Sequence, residues 1–385
     1  MFLRSTTILC ILLLLSSGKE ALQAQNIRIE TALNYGKIIP HRSYFTADVT
    51  QSTKMYELSF AKQGKGDKAW HHLFGFPLAG VNIVGIQFGD SQTFGKGIGA
   101  FPFIQFDWNI GKIARFDLRV GSGLAWIDNK YDEVNNPTNN AISTNINNMT
   151  RLSFGLERDF TERFGAKLMF SATHFSNGNT HQPNLGINLF SGNIGIYYWL
   201  NEKERVEAKT LGETSKQIKV LLRTGYGKTS GRVHLGEYYD VFTFAAIAAR
   251  PLNHQGRLLL GVQYEYNESI SHYGQYRCEN ELDENECQVE DYNFTSLASK
   301  VYVLAGYEMR LGRLGMTFQA GVYLHNQAFA PVEHFKRPII TNLIGVHYYL
   351  KDPITTAHNL PYLQLQLKSH GARADYVSAG FGWEF

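Results

Sequence analysis

The 385-residue chain is short of several things, and each shortage excludes something. Its charges nearly cancel, with 37 Lys and Arg against 34 Asp and Glu and a formal net charge of +3. No basic run accompanies that small excess, so a nucleic-acid partner is not expected. Beyond the N-terminus no segment reaches the roughly 18 apolar residues of a spanning helix, which excludes a helical membrane domain. There are three cysteines. Cys10 lies in the N-terminal apolar run, and the other two do not make a metal site by themselves. No cofactor and no metal are expected. What is present is 44% hydrophobic and 13% aromatic residues with 36 glycines, ample for a closed architecture and unlike a disordered chain.

Residues 1–24 read as a secretory signal. Arg4 is a thin basic region, Ile8 to Leu15 an apolar core, and Leu22-Gln23-Ala24 a small-residue cleavage site. The rest alternates in segments of about ten residues. Ile27, Ile29, Thr31, Leu33 and Tyr35 share one face, and Arg28, Glu30 and Asn34 the other. Phe116, Leu118 and Val120 oppose Asp117 and Arg119, and Leu363, Leu365 and Leu367 oppose Gln364, Gln366 and Lys368. Apolar-out, polar-in alternation predicts an all-β, antiparallel outer-membrane β-barrel; a soluble sandwich is the alternative. The last strand, Asp375 to Phe385, puts Val377, Ala379, Phe381, Trp383 and Phe385 on one face and ends on an aromatic. It resembles the signal read by the outer-membrane assembly machinery, the partner expected during biogenesis.

An internal repeat divides the chain: Ile27 to Lys37 echoes Ile218 to Lys228. Each half predicts about eight strands, giving residues 25–200 as one half, 201–216 as a linker or long turn, and 217–385 as the second half. Alternation fixes faces but not closure. A single barrel of about 16 strands is the expectation, and two tandem eight-stranded barrels the alternative. Short connections at Asn109 to Lys112, Thr161 to Arg163 and Gly312 read as periplasmic turns, and long ones at Asp128 to Asn147 and Glu268 to Asn293 as extracellular loops. The segment Gln63 to Gly80, with Trp70, His71 and His72, is too long for that scheme. Cys278 and Cys287 flank an acidic loop and are expected to pair in an oxidising compartment.

Chemistry concentrates at His174-Phe175-Ser176-Asn177-Gly178, followed by Pro183-Asn184-Leu185-Gly186-Ile187-Asn188. His174 and Ser176, two apart on a strand, share a face with Leu168, Phe170 and Ala172. In a barrel that face meets lipid, where polar groups are costly and usually functional. The run THFSNGNTHQPNLGIN resembles the signature of the PagL-type lipid A 3-O-deacylases over residues 26 to 200, and the segments around Trp70, Pro77 and Gly95-Lys96-Gly97 resemble its longer Bacteroidetes-type forms. The resemblance implies a serine esterase of the Gram-negative outer membrane that removes the 3-O-linked hydroxyacyl chain of lipid A, the lipid anchor of lipopolysaccharide. It implies Ser176 as nucleophile, His174 as general base and Asn184 as an oxyanion donor, with the Asn177-Gly178 turn nearby. The family's acidic third member falls at Asn188. An amide can orient an imidazole but cannot supply charge, so Glu157 and Asp159 are further candidates. His370, the repeat-equivalent of His174, lies on the polar face with Gly371 following, so no catalytic centre is expected in the second half. Two rival functions stand beside the deacylase: a non-enzymatic barrel serving as pore, structural or binding protein, and an esterase or phospholipase acting on other acyl lipids.

Overall fold

The alternating segments fold into sixteen antiparallel strands. The computed structural model describes residues 26–201, 207–230, 238–280, 293–326, 338–356, 358–371 and 373–385. The expected signal segment and Cys287 lie outside the described residues; Cys278 is disulfide-bonded. The first eight strands are β1 (Ile27–Ile38), β2 (Thr53–Gln63), β3 (Leu78–Gln87), β4 (Lys96–Ile110), β5 (Ala114–Ile127), β6 (Ile146–Asp159), β7 (Phe164–Ser176) and β8 (Ile187–Trp199). The second eight are β9 (Lys219–Ser230), β10 (Tyr238–Asn253), β11 (Gly256–Asn267), β12 (Ser299–Leu311), β13 (Leu314–Asn326), β14 (Ile340–Tyr349), β15 (Leu360–His370) and β16 (Arg373–Glu384). A short helix, Phe294–Ala298, precedes β12, and its N-cap Asn293 accepts from the Ser296 amide.

The expectation of one wide barrel is corrected. β1 pairs with β8 from Arg28↔Trp199 to Ile38↔Leu189, and β9 pairs with β16, so each half closes on itself. The interior chemistry explains the closure. Arg28 on β1 donates twice to Glu157 on β6 at 2.6 Å, and Arg119 on β5 reaches Glu30 on β1 at 2.7 Å. Lys167 on β7 also pairs with Glu30. In the second half Lys368 on β15 meets Glu265 on β11 at 2.7 Å, and Arg257 on β11 holds Glu308 and Glu384 at 2.6 and 2.8 Å. The Arg119–Glu30 and Lys368–Glu265 pairs join strands on opposite sides of their eight-stranded rings, so they meet only across a lumen narrow enough for side chains to fill. A buried charge left alone costs several kcal/mol, so cross-lumen pairing favours two small barrels over one wide one.

The interior of the first barrel is not polar throughout. Toward the end that carries the Asp128 to Asn147 loop, Met55, Phe88, Phe101, Met149, Phe175 and Leu189 form a buried apolar core. Outward-facing Leu33, Phe154, Phe170 and Ile194 are exposed, as a lipid-facing wall requires.

The long segment between β2 and β3 has a structural role. Its helix α1 (Ala69–Leu73) reaches the β10–β11 turn of the second barrel, where Gln255 Nε2 donates to Leu73 O at 2.6 Å, and the segment between the barrels, where the Lys209 amide donates to His72 Nδ1 at 3.2 Å. A Cβ added at Gly312 would lie 2.6 Å from Trp70 Cδ1. At the other end Asn179 Nδ2 donates to Asp375 O at 3.0 Å and the Ser230 amide to Asn179 O at 3.1 Å. The two barrels therefore touch at both rims.

Candidate active site

The site is built at the outer end of β7. Phe175 points inward, fully buried, with its ring centroid 5.9 Å from that of Phe88. Fixing that inward residue sends His174 and Ser176 outward on either side of it. His174 stays exposed, whereas Ser176 is covered by the loop that follows. Gly178 turns that loop with φ of +68°, a backbone region suited to glycine. Its amide donates to Ser176 Oγ at 3.1 Å, and Asn184 Nδ2 donates to the same oxygen at 3.0 Å. Asn177 holds the loop: its amide donates to Asn184 Oδ1 at 3.2 Å, and its Nδ2 donates to Ser143 Oγ and His181 O. Two donors thus converge on one hydroxyl oxygen.

His174 is oriented from the next strand. β7 and β8 place it directly opposite Asn188, and His174 Nδ1 lies 2.7 Å from Asn188 Oδ1. An amide oxygen only accepts, so Nδ1 carries the proton and Nε2 keeps the free lone pair. Gly186, with φ of +77°, packs against the ring; a Cβ there would lie 2.8 Å from His174 Cε1. No hydrogen bond joins His174 to Ser176.

The alternative carboxylates are not at the site. Glu157 pairs with Arg28 and Arg115 inside the lumen near the opposite end of the barrel, and Asp159 pairs with Arg115 and Tyr197. His370 faces the second lumen, 2.8 Å from Asp375 and 2.8 Å from Tyr323 Oη.

Sequence reasoning missed His41. It lies in the loop after β1, and its Nδ1 is 3.0 Å from Asn188 Nδ2. Since the amide nitrogen donates, His41 accepts at Nδ1 and is neutral. Burial, Arg42 and His174 all hold its pKa below the ordinary imidazole value, in agreement with that bond. No pattern in the sequence marks this histidine, because a loop residue meets a strand only in three dimensions.

A cavity of about 340 Å³ opens over these groups, lined by His41, Arg42, His174, Ser176 and Asn184 from the first barrel and by Arg373 and Ala374 from the second. A family model described as lipid A 3-O-deacylase (PagL) matches residues 54–197, and one described as the acyloxyacyl hydrolase C-terminal domain matches residues 216–385. The chain belongs to the PagL family of lipid A deacylases. As a member of that family it is a protein of the Gram-negative outer membrane. Among solved structures it is similar to the outer-membrane enzyme PagL, at 17% identity and a TM-score of 0.31 over 43% of this chain and 97% of that one. It is also similar to Neisserial surface protein A, at 8% identity and a TM-score of 0.32 over 45% and 96% of the two chains. The N-terminal barrel of Pseudomonas aeruginosa OprF follows at 14% identity and 0.27, over 46% and 100%. No curated protein sequence matches.

Proposed function

We propose that this protein is a serine esterase that hydrolyses the 3-O-linked acyl ester of lipid A, with Ser176 as nucleophile. The observation that carries the reading is the convergence of the Gly178 amide and the Asn184 carboxamide on Ser176 Oγ, beside an imidazole whose Nε2 lone pair is free. Ser176 Oγ attacks the ester carbonyl while His174 Nε2 takes the hydroxyl proton. The Gly178 and Asn184 donors stabilise the negative charge that develops on oxygen. Collapse breaks the bond to the sugar oxygen, which leaves with the proton from His174. Water then attacks the acyl-enzyme, giving its proton to His174, and the fatty acid departs as Ser176 is restored. Asn188 fixes the His174 tautomer, and His41 fixes the Asn188 amide. Asn177 holds the loop that carries both donors.

The second barrel walls the site and carries no catalytic centre of its own in this reading, because His370 is engaged with Asp375 and Tyr323. Residues 1–24 serve as the export signal, and the final strand as the segment read by the assembly machinery.

The test is mass spectrometry of lipid A from an outer-membrane host expressing wild type or Ser176→Ala. Loss of one hydroxyacyl chain with wild type, absent with the variant, supports the reading. Intact lipid A alongside lysophospholipid would redirect it to phospholipids. No acyl loss from any lipid, with the barrels folded, would favour a non-enzymatic barrel.

A further inference from the structure

We propose that Ser122, Asn148 and Thr150 form a subsite for an uncharged hydrogen-bond donor, a hydroxyl or an amide N–H, on the lipid substrate. All three project from the outer wall and are exposed. They are not part of a polar rim at the strand ends. Above them on the same two strands lie Leu124, Trp126 and Ile146, with 61%, 48% and 58% of their surface exposed. Below lie Leu152 and Phe154, 46% and 48% exposed. A polar island inside an apolar, lipid-facing band is costly unless something uses it.

Its place in the sheet ties it to the site. Across β6 and β7, Asn148 stands opposite Ser176 and Thr150 opposite His174, and Ser122 stands opposite Thr150 across β5 and β6. The island therefore begins one strand spacing, about 4.8 Å, from the proposed nucleophile and base.

Its proton count sets the ligand class. Thr150 Oγ1 donates to Asn148 Oδ1 at 2.8 Å, so Ser122 must donate to Thr150 Oγ1, also at 2.8 Å. Asn148 Nδ2 donates to Ser122 Oγ and to Gly123 O, each at 3.1 Å. Every proton of the island is then used internally. Each of the three side-chain oxygens accepts one bond and keeps a lone pair. The island can accept but has nothing to donate, so it suits O–H or N–H and not a phosphate or carboxylate.

This subsite rests on the proposed esterase reading, and the experiment separates the two. The full chain carrying Ser176→Ala is titrated in detergent with three O-acylated glucosamine lipids: one with a 3-hydroxyacyl ester and a free amide N–H, one lacking the acyl hydroxyl, and one N-methylated at the amide. The expected result is about five- to tenfold weaker binding of one of the two depleted lipids, the size of one hydrogen bond; which one weakens identifies the donor. Adding Ser122→Ala, Asn148→Leu and Thr150→Val brings that ratio to about one. The isosteric Thr150→Val alone carries the test if the triple variant does not fold. Equal binding of all three lipids, or a ratio untouched by the substitutions, overturns the subsite. Ester turnover persisting in Ser176→Ala would instead refute the nucleophile and leave the binding ratio as its own readout.

Discussion

Asn188→Asp is the perturbation that examines the site most closely. The wild-type contact from His174 Nδ1 to Asn188 Oδ1 is 2.7 Å, so an aspartate, equal in length, takes the amide's place without rebuilding β8. A neutral hydrogen bond contributes about 0.5–1.5 kcal/mol net and one to a charged partner about 1.5–3. The imidazolium formed during acyl transfer therefore gains on the order of 1 kcal/mol from a carboxylate, which raises kcat/KM roughly fivefold. An imidazolium facing a carboxylate gives up its proton at higher pH, so the acid limb of the rate profile moves upward. His41 supplies the decisive cross-check. In wild type it orients the amide, and His41→Ala releases the amide to rotate, for an expected loss of about three- to tenfold. A carboxylate has no wrong orientation, so the same His41→Ala change in the Asn188→Asp background should cost less than twofold. The four proteins are compared by initial rates of ester hydrolysis between pH 5 and 9. An equal cost of His41→Ala in both backgrounds would refute the relay, as would an acid limb that Asn188→Asp leaves in place.

Gly186→Leu should abolish turnover by driving a side chain into the His174 ring while the barrel still resists SDS before heating, because the clash lies outside the wall. Gly178→Leu should loosen the contact between barrels and lower activity together, since a Cβ there lies 2.5 Å from Val377 Cγ2 and φ is +68°; limited proteolysis across residues 201–216 reads the loosening. Glu30→Gln strips the carboxylate that faces Arg28, Arg119 and Lys167 in the first lumen. Its expected cost is about 3–5 kcal/mol in urea unfolding from lipid vesicles, and a change within 1 kcal/mol would show that the cluster is hydrated.

The faces of the strands were legible because period 2 is a local property. Arg28, Glu30 and Asp117 fall inward and Leu33, Phe170 and Ile194 outward, where alternation places them. Closure was not legible, because it depends on which distant strand meets β1, and the repeat of Ile27 to Lys37 at Ile218 is compatible with one barrel or two. The apolar upper lumen showed only as breaks in the pattern: Phe175 looks like an error on a polar face until Phe88 and Met149 are seen to share its buried cluster. Asn188 was reached through the family resemblance, with alternation putting it on the outer face; that it stands opposite His174 is read from the register of β7 and β8. His41 and the island of Ser122, Asn148 and Thr150 were not legible, since each depends on a loop crossing a strand or on register between strands.

The same distinction explains what the second barrel adds. Its interior pairs are self-contained, with Glu265 held by Lys300 and Lys368 and Glu308 by Arg257, so the first lumen does not need them. Its outer rim is not self-contained. Thr229 Oγ1 and Asn179 Nδ2 both donate to Asp375 O, and Arg373 and Ala374, at the start of β16, line the cavity over Ser176. The loop from Asn177 to Gly186 carries the donors that converge on Ser176, and it is braced on one side by its own barrel through Ser143 and on the other by β9 and β16. Donors carried on a loop keep a fixed geometry only if that loop is held rigid. The second barrel, docked at one rim through α1 and at the other through Asn179, supplies that bracing and closes the cavity's far wall.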